Sequence, residues 1–192
     1  MLDILDQVAN VRFDLAYPWV VKSRRQSQLL DTWIAQSRAI GGLPLITDFA
    51  ALQNYREQGE VTTYDLVRDG DRLRYLVTQE GIAFTTLFGS SSKGRFLDEA
   101  MSPNGWSVAR HNFDECARLA RPVYASFSIY DSERRKVIYE RLLLPFGSGS
   151  PEVTHMATTL KTTSWPGEKS VDLASPEGHE LEYGFRAVIA FD

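Results

Sequence analysis

The sequence has little cysteine and no long apolar run. Its 192 residues include one cysteine, Cys116. A single cysteine cannot form an internal disulfide or build a zinc site by itself, which favours a reducing, cytoplasmic location. No apolar run approaches the roughly 20 residues that span a bilayer, and the N-terminus has no basic-then-apolar signal pattern. We therefore expect a cytoplasmic protein with no membrane partner.

Clustered positive charge is also missing. The formal net charge is -4, and the basic pairs Arg24-Arg25 and Arg134-Arg135 are short. Nucleic-acid binders need clustered lysine and arginine to neutralise phosphates, so nucleic acid is excluded as a partner. The remaining composition is that of a folded protein, with 43% hydrophobic and 24% charged residues. The length fits one domain.

The first third of the chain predicts an arm and two helices. Apolar residues at helical spacing predict a helix over 27–40 that ends at Gly41-Gly42. Thr47-Asp48 predicts the N-cap of a shorter helix that ends near Gly59. The longer helix carries an apolar stripe that predicts a homodimer interface. The stripe consists of Leu29, Leu30, Trp33 and Ile34.

The middle of the chain predicts a hairpin followed by helices. Two alternating runs, 61–67 and 73–78, flank Asp69-Gly70, and Asp-Gly between such runs is a strong hairpin signal. Short helices and loops follow Gly81, and a longer helix is expected over about 106–120. One face of that helix is apolar. It carries Trp106, Ala109, Phe113, Cys116 and Ala117.

The last third predicts four strands. Residues 123–130, 135–146 and 153–162 alternate in the strand period and form a meander, in which 135–146 is the long central strand. A polar turn at 131–135 separates the first two strands. After a turn-rich stretch at 166–178, residues 181–191 alternate again. This last strand either extends the sheet or covers its edge.

The order of hairpin, short helices, longer helix and three-stranded meander resembles that of PAS domains, and specific residues resemble the alphaproteobacterial PAS-like family PAS_5, a domain formerly of unknown function. The resemblance implies an α+β fold: a PAS-like antiparallel sheet with short helices on one face, an N-terminal helical extension and an extra C-terminal strand. It covers a PAS-like domain at 29–162 and does not explain the arm at 1–28 or the C-terminal extension at 163–192. The matching residues are Leu30, Trp33, Arg38, Pro44, Asp48, Arg74-Tyr75, Gly81, Leu87-Phe88-Gly89, Gly94-Arg95, Leu97 and Tyr139-Glu140-Arg141-Leu142-Leu143-Leu144-Pro145.

PAS domains bind small molecules or cofactors between the concave face of the sheet and the short helices, or act as docking and dimerisation modules. The resemblance identifies no cofactor for this chain, so the cofactor is unknown. Aromatic residues and the two neighbouring charges of the central strand predict a pocket, although core packing is the commoner role of such aromatics. The predicted pocket residues are Tyr75, Phe84, Phe88, Trp106, His111, Phe127, Glu140 and Arg141.

Glu140 and Arg141 point to opposite faces of their strand, and a charge in a sheet interior is costly unless it is paired. An interstrand salt bridge between Arg74 and Glu140 is favoured over a polar group reserved for a ligand. His111 lies near the position of the proximal histidine in haem-binding PAS domains. Helical spacing places it beside the apolar face, so a rim position is favoured over haem ligation.

Two further motifs have ordinary interpretations. The segment from Gly89 to Phe96 is similar to a phosphate-binding loop, but Arg95 and Phe96 stand where that motif needs lysine and a hydroxyl residue. We expect a turn in which Gly94 adopts a positive φ and Arg95 binds a carboxylate. Cys116 lacks the sequence context of flavin-binding photosensors and is interpreted as a buried small residue. His155 and His179 lack metal-ligand partners at suitable spacing, so no metal site is predicted.

These observations predict a non-enzymatic, PAS-like sensory or regulatory domain in signal transduction, which binds a small molecule or docks a protein partner. One alternative is a ligand-free adaptor that binds a protein through its sheet or its last strand. The other is a small α+β enzyme. Ser91-Ser92 has no histidine or aspartate partner visible in the sequence, which weighs against the enzyme.

Overall fold

The computed structural model describes residues 12–88, 90–130, 136–163 and 181–191. The strands of this part form one sheet, and the helices lie before and after its first hairpin in the chain. The strands are β1 Asp14–Ala16, β2 Val61–Asp69, β3 Arg72–Gln79, β4 Val123–Tyr130, β5 Lys136–Phe146, β6 His155–Thr163 and β7 Leu181–Ile189. The helices are a 3-10 turn at Pro18–Val20, α1 Arg24–Ile40, α2 Ala51–Glu57, α3 Ile82–Phe88, α4 Leu97–Ala100 and α5 Pro103–Leu119.

The sheet has the order β1-β7-β4-β5-β6-β2-β3, and every neighbouring pair except β1 with β7 is antiparallel. The hairpin β2-β3, the helices α3 to α5 and the meander β4-β5-β6 follow one another along the chain as the resemblance predicts. The helix α1 precedes this core and β7 is added beyond β4. The predicted α+β, PAS-like fold class is therefore confirmed.

The longest strand lies in the middle of the sheet. β5 is 11 residues long and has three strands on each side in the described sheet. Its two neighbours, β4 and β6, pair with it over Lys136–Leu143 and Ile138–Phe146, respectively. The prediction of a central strand at 135–146 is confirmed for 136–146, and residue 135 lies outside the described residues. Because β5 is paired on both edges, its side chains are the ones most fully covered from the two faces.

Local signals explain the helix ends. The Ser23 hydroxyl accepts a hydrogen bond from the Gln26 amide at the start of α1, and Gly41 with φ +67° ends that helix. Ser102 caps α5 in the same way through the Gly105 amide, and Pro103 occupies the first turn. The helix therefore begins three residues earlier than predicted, because the capping serine and proline outweigh the apolar spacing.

The predicted cap of the second helix is wrong. Thr47 donates its hydroxyl hydrogen bond to the Asp48 carboxylate, 2.9 Å away, so these two side chains bind each other. α2 begins at Ala51, and its N-cap residue Ala50 contributes no side-chain bond. The sequence does not distinguish an aspartate that caps a helix from one that accepts a hydrogen bond within the preceding turn.

The sheet is covered on both faces. We call the face that α1 and α2 cover the outer face, and the face that α3, α4 and α5 cover the inner face. The outer cluster is centred on Leu29, Leu30, Trp33, Leu52, Tyr124, Leu142, Leu144 and Phe146. The inner cluster is centred on Tyr64, Tyr75, Val77, Phe84, Leu97, Phe113, Cys116, Leu143 and Met156.

The apolar stripe of α1 packs on the chain's own sheet. Leu29, Leu30, Trp33 and Ile34 are buried in the outer cluster, and the Trp33 indole donates a hydrogen bond of 2.8 Å to the carbonyl of Pro145 on β5. The stripe is thus not available as the predicted dimer interface, because covering the sheet's outer face already uses it. The dimer itself stays a prediction.

The N-terminal arm adds a strand that was not predicted. β1 pairs in parallel with β7, with Asp14 opposite Ala187 and Ala16 opposite Ile189. Next to this short strand, the side chains of Leu15, Tyr17 and Trp19 are exposed, and the rings of Tyr17 and Trp19 stack at 4.5 Å. Throughout the described ranges, no helix is long and apolar enough to cross a membrane.

Candidate functional site

The inner face carries a group of aromatic rings around Phe113 of α5. Its ring centroid lies 5.0 Å from that of Tyr75 and 5.2 Å from that of Tyr64. Trp106, two turns earlier on the same helix, lies 5.9 Å from Tyr75, and Phe84 of α3 lies 6.4 Å from Tyr64. Edge-to-face contacts of this kind add to the stabilisation from burial. They fix α5 against the hairpin β2-β3.

A second pair of rings lies on the same face at the centre of the sheet. Phe127 of β4 and Tyr139 of β5 are opposite each other in register, and their rings stack at 5.3 Å with an interplanar angle of 14°. The guanidinium carbon of Arg141 lies 5.1 Å from the Phe127 ring centroid and 5.8 Å from that of Phe113. Arg141 therefore connects the two groups of rings through cation–π contacts.

Arg141 is a buried cation. Only 3% of the residue is exposed, and its Nε atom has no hydrogen-bond partner in the described part of the chain. Among the described residues, no carboxylate forms an ion pair with its guanidinium. A buried charge without a counter-charge is strongly unfavourable, and contact with aromatic faces offsets only part of that cost. The burial of Arg141 therefore lowers the stability of the folded domain.

Tyr64 of β2 is a second polar group without a partner on this face. The residue is fully buried, and its hydroxyl has no hydrogen-bond partner in the described structure. Burial raises the pKa of the Tyr64 hydroxyl, and the positive charge of Arg141 acts in the opposite direction. The Glu80 carboxylate raises this pKa and the Thr62 hydroxyl lowers it, both to a smaller extent. The Tyr64 hydroxyl thus stays protonated at neutral pH and lies within electrostatic reach of the guanidinium.

A small residue separates Arg141 from a second arginine. Ala125 of β4 is in register with Arg141 on one side and with Arg186 of β7 on the other, so the three side chains share the inner face. Beyond Ala125, the pairing of β4 with β7 is irregular between Ser126 and Phe127. The inner face therefore carries one arginine on β5 and one on β7, with Ala125 of β4 between them in register.

His111 lies at the rim of the inner face. Burial lowers the pKa of His111, and the charge of Arg186 lowers it further. It borders an open cleft of about 390 Å³, which is separate from the aromatic rings around Phe113. The predicted rim position is consistent with this placement. The cleft is lined by Arg12, Phe13, His111, Asp114, Glu115 and Arg118.

Glu140 lies on the outer face and not with the other predicted pocket residues. It alternates with Leu142 and Leu144, whose side chains belong to the outer cluster. Glu140 is buried beside Tyr124 of β4. Burial of Tyr124 raises the pKa of its hydroxyl most, and the negative charge of Glu140 raises it further. Placing Glu140 in the pocket was therefore wrong, because neighbouring residues of a strand cannot share a face.

The predicted salt bridge between Arg74 and Glu140 is also wrong. Arg74 of β3 binds two carboxylates of α4, with 2.8 Å to Asp98 and 2.6 Å to Glu99. Its guanidinium also lies over the Phe96 ring at 3.8 Å. β3 and β5 are separated by two strands in the sheet, so the side chains of Arg74 and Glu140 do not meet.

The loop before α4 is a turn held by a carboxylate, although not through Arg95. Gly94 has φ +80°, as its predicted role requires. The Glu80 carboxylate accepts hydrogen bonds from the Ser91 hydroxyl and the Ser92 amide, whereas Arg95 donates to the backbone carbonyl of Glu99. The prediction that Arg95 binds a carboxylate is wrong.

Cys116 is fully buried on α5, and burial raises the pKa of its thiol. A thiol in such surroundings stays protonated and is a poor nucleophile. Within the described ranges, no group of three or more histidine, cysteine, aspartate or glutamate side chains could hold a metal ion.

The structure brings five of the predicted pocket residues to one face: Tyr75, Phe84, Trp106, Phe127 and Arg141. The side chain of Phe88, at the end of α3, lies outside the described part. Sequence reasoning missed Tyr64 and Tyr139 as members of this site. The alternation of β2 and β5 could have found them, since Tyr64 shares a face with Leu66, and Tyr139 shares one with Arg141 and Leu143.

Comparisons with known proteins yielded matches only among solved structures. A scan against models of protein families gave no match, and neither did a search of curated proteins. The similar structures include a LOV protein of Rhodobacter sphaeroides, with 13% identity, 60% of this chain and 70% of that chain covered, and a TM-score of 0.40. A PAS domain from Colwellia psychrerythraea has 8% identity, coverage of 58% and 96%, and a TM-score of 0.41.

A sensory box sensor histidine kinase from Vibrio cholerae is also similar, with 13% identity, 67% of this chain and 96% of that chain covered, and a TM-score of 0.39. These scores are all below 0.5. The assignment of the PAS-like fold therefore rests on the element order and on the single sheet described above, which is antiparallel except for β1 with β7.

Proposed function

We propose that the chain is a PAS-like sensory or regulatory domain that binds a small molecule between the inner face of its sheet and α5. The observation that carries the proposal is the buried guanidinium of Arg141, which lies among aromatic rings and forms no ion pair with a described carboxylate. A domain evolves such a costly arrangement when a ligand completes it, because binding then supplies the missing interaction.

The proposed site consists of Arg141, Tyr64, Tyr75, Phe84, Trp106 and Phe127, with Phe113 between them. In this proposal the domain is not an enzyme. The two candidate nucleophiles support that part of the proposal, since Ser91 donates to the Glu80 carboxylate and Cys116 is buried. We also retain PAS_5 membership and a cytoplasmic location as parts of the proposal.

Mass spectrometry of the purified protein tests the proposal. The intact protein is first sprayed under native conditions, and the same sample is then denatured and its released small molecules are identified. A stoichiometric molecule that is lost on denaturation is the expected result. A protein whose native mass equals its sequence mass, and which no compound of a broad library stabilises against heat, would contradict ligand binding.

A ligand-free adaptor is the second candidate function, and a different observation favours it. Leu15, Tyr17 and Trp19 form an exposed apolar patch at the β1 edge, where the Trp19 side chain is 76% exposed. Large exposed apolar groups of this kind mark protein contacts. Sedimentation analysis of the wild type and of Trp19→Ala tests whether this patch supports the predicted homodimer, which the variant should then weaken.

A further inference from the structure

We infer that the ligand of the inner face is a small organic carboxylate, which the guanidinium of Arg141 binds with the hydroxyl of Tyr64 as a second donor. The inference rests on the proposed function, because it names the chemical class of the molecule that the proposed site would hold. It follows from three features of the described residues: the missing counter-charge, the kind of donors and the apolar surroundings.

The counter-charge of Arg141 does not come from a neighbouring carboxylate of the described structure. Glu140 follows on the same strand but points to the outer face. Asp114 of α5 faces the inner side, yet it accepts hydrogen bonds from Tyr75, at 2.7 Å, and from Arg110, at 2.8 Å. An anion that enters the inner face would therefore find Arg141 with its charge unneutralised.

The donors match a carboxylate. A guanidinium offers parallel N–H donors that fit the two oxygens of one carboxylate, and such charge-assisted bonds are short and strong. Tyr64 adds one neutral donor from β2. A phosphate group carries more charge and more acceptor oxygens than one guanidinium and one hydroxyl can satisfy, so we favour the carboxylate.

The surroundings match an apolar body. Phe113 and Phe127 flank the guanidinium, and Ala125 is the small residue beside it in the sheet. A planar organic acid can place its carboxylate on Arg141 while its body contacts these rings.

The test uses benzoate, its neutral isostere benzamide and inorganic phosphate as probes. The full chain is refolded from denaturant to remove any co-purified molecule, and calorimetric titration and thermal unfolding are measured at constant pH and ionic strength. Benzoate should bind and raise the unfolding temperature, and benzamide should do neither. Arg141→Met should weaken benzoate binding about ten- to hundredfold, the loss expected for a charge-assisted hydrogen bond.

Two further variants keep the test independent of folding effects. Tyr64→Phe removes one hydroxyl and should weaken benzoate binding about three- to tenfold, the loss expected for a neutral hydrogen bond. Arg25→Met is the matched control. Arg25 also lies over an aromatic ring, that of Tyr55, but it is paired with Glu60 away from the inner face, so benzoate binding should not change. Without ligand, Arg141→Met should unfold at a higher temperature than the wild type, because an unpaired buried charge is gone.

The inference is overturned if benzamide or phosphate binds as well as benzoate, if Arg141→Met binds benzoate like the wild type, or if benzoate does not bind. The proposed function can survive this failure. A neutral molecule that co-purifies with the protein and leaves on denaturation would refute the carboxylate and support ligand binding, whereas a protein that holds no molecule and binds no probe would refute both.

Discussion

The two faces of the sheet differ in the hydrogen bonding of their buried polar groups. On the outer face, Gln26 of α1 donates from Nε2 to the carbonyls of Glu140 and Thr159 at 3.1 Å, and Trp33 donates to Pro145. On the inner face, Arg141 and Tyr64 present a guanidinium nitrogen and a hydroxyl for which the described structure has no acceptor. Gln26 Oε1 and the Tyr124 hydroxyl are also unpartnered on the outer face, but both are neutral, whereas Arg141 is a cation. Helix α1 is thus bound to the sheet through buried backbone carbonyls of β5 and β6, whereas α5 contacts it through rings and through one hydrogen bond, from the Tyr75 hydroxyl to Asp114.

This difference indicates a division of roles between the faces. Polar bonds across a packed interface fix one arrangement, because any shift of the helix breaks them. A buried cation that lacks an acceptor is stabilised by a molecule that supplies one. We therefore expect the outer face to contribute most to the stability of the fold, and the surroundings of Arg141 to be the place where the proposed ligand changes it.

The largest effect should come from the outer face. Trp33→Ala removes a fully buried ring and its hydrogen bond to Pro145, and we expect the free energy of unfolding to fall by about 3–5 kcal/mol. Urea unfolding measures this loss. Trp19→Ala is the control, since that ring is exposed and its loss should change stability by less than about 0.5 kcal/mol. Similar losses in both variants would show that burial on the outer face does not decide stability.

Alkaline pH should act mainly through buried tyrosines, of which Tyr139 is the most informative. Burial raises the pKa of Tyr139 to about 12. Its folded pKa is higher than the unfolded one, so its contribution is complete below about pH 10 and is lost as pH rises towards 12, about 2–3 kcal/mol in total. Tyr139→Phe should flatten the decline of stability over that range, relative to each protein's value at pH 7. An unchanged decline would contradict the inner-face burial of this ring.

A smaller loss is expected from Gln26. Gln26→Leu keeps the volume of the side chain but leaves the carbonyls of Glu140 and Thr159 with one donor fewer. We expect a loss of about 1–3 kcal/mol in urea unfolding, which is typical of buried groups left without a partner. Thr32→Val, which removes an exposed hydroxyl bond within the same helix, should change little. Unaltered stability in Gln26→Leu would mean that the outer face does not depend on these bonds.

The smallest effect should distinguish a paired arginine from an unpaired one. Arg74→Met removes the ion pairs with Asp98 and Glu99 at the surface, so the unfolding temperature should fall slightly, and less so in 1 M salt than in dilute buffer. Arg141→Met is expected to change the unfolding temperature in the opposite direction. A decrease in both variants would show that Arg141 has a stabilising partner.

Local patterns predicted the elements well, because their causes are local. Gly70, at φ +60°, forms the hairpin turn that Asp69-Gly70 predicts, and β5 follows the alternation of 135–146. The partners of charged side chains were predicted poorly. Arg74 and Glu140 carry opposite charges on two strands, which predicts an ion pair. Their strands β3 and β5 are separated by β2 and β6, and the spacing of residues along the chain does not encode the order of strands in a sheet.

The candidate site was predicted only in part for the same reason. Alternation shows that Glu140 and Arg141 face opposite sides of the sheet. Which of the two faces α1 covers and which α5 covers depends on how the helices pack, and the spacing of residues does not show this. The apolar stripe of α1 shows that it packs against something, and it is equally suited to a partner or to its own sheet. Likewise, β1 is three residues long, too short for a periodic signal.

The parallel pairing of β1 with β7 has a consequence for how the chain folds. It joins residue 14 to residue 187, so this contact closes almost the whole chain into a loop. Contacts between distant residues are entropically costly and form late, whereas the β2-β3 hairpin closes through a two-residue turn. We expect the domain to assemble from its hairpin and meander first and to add β1 last, with amide hydrogen exchange fastest at β1 among the strands.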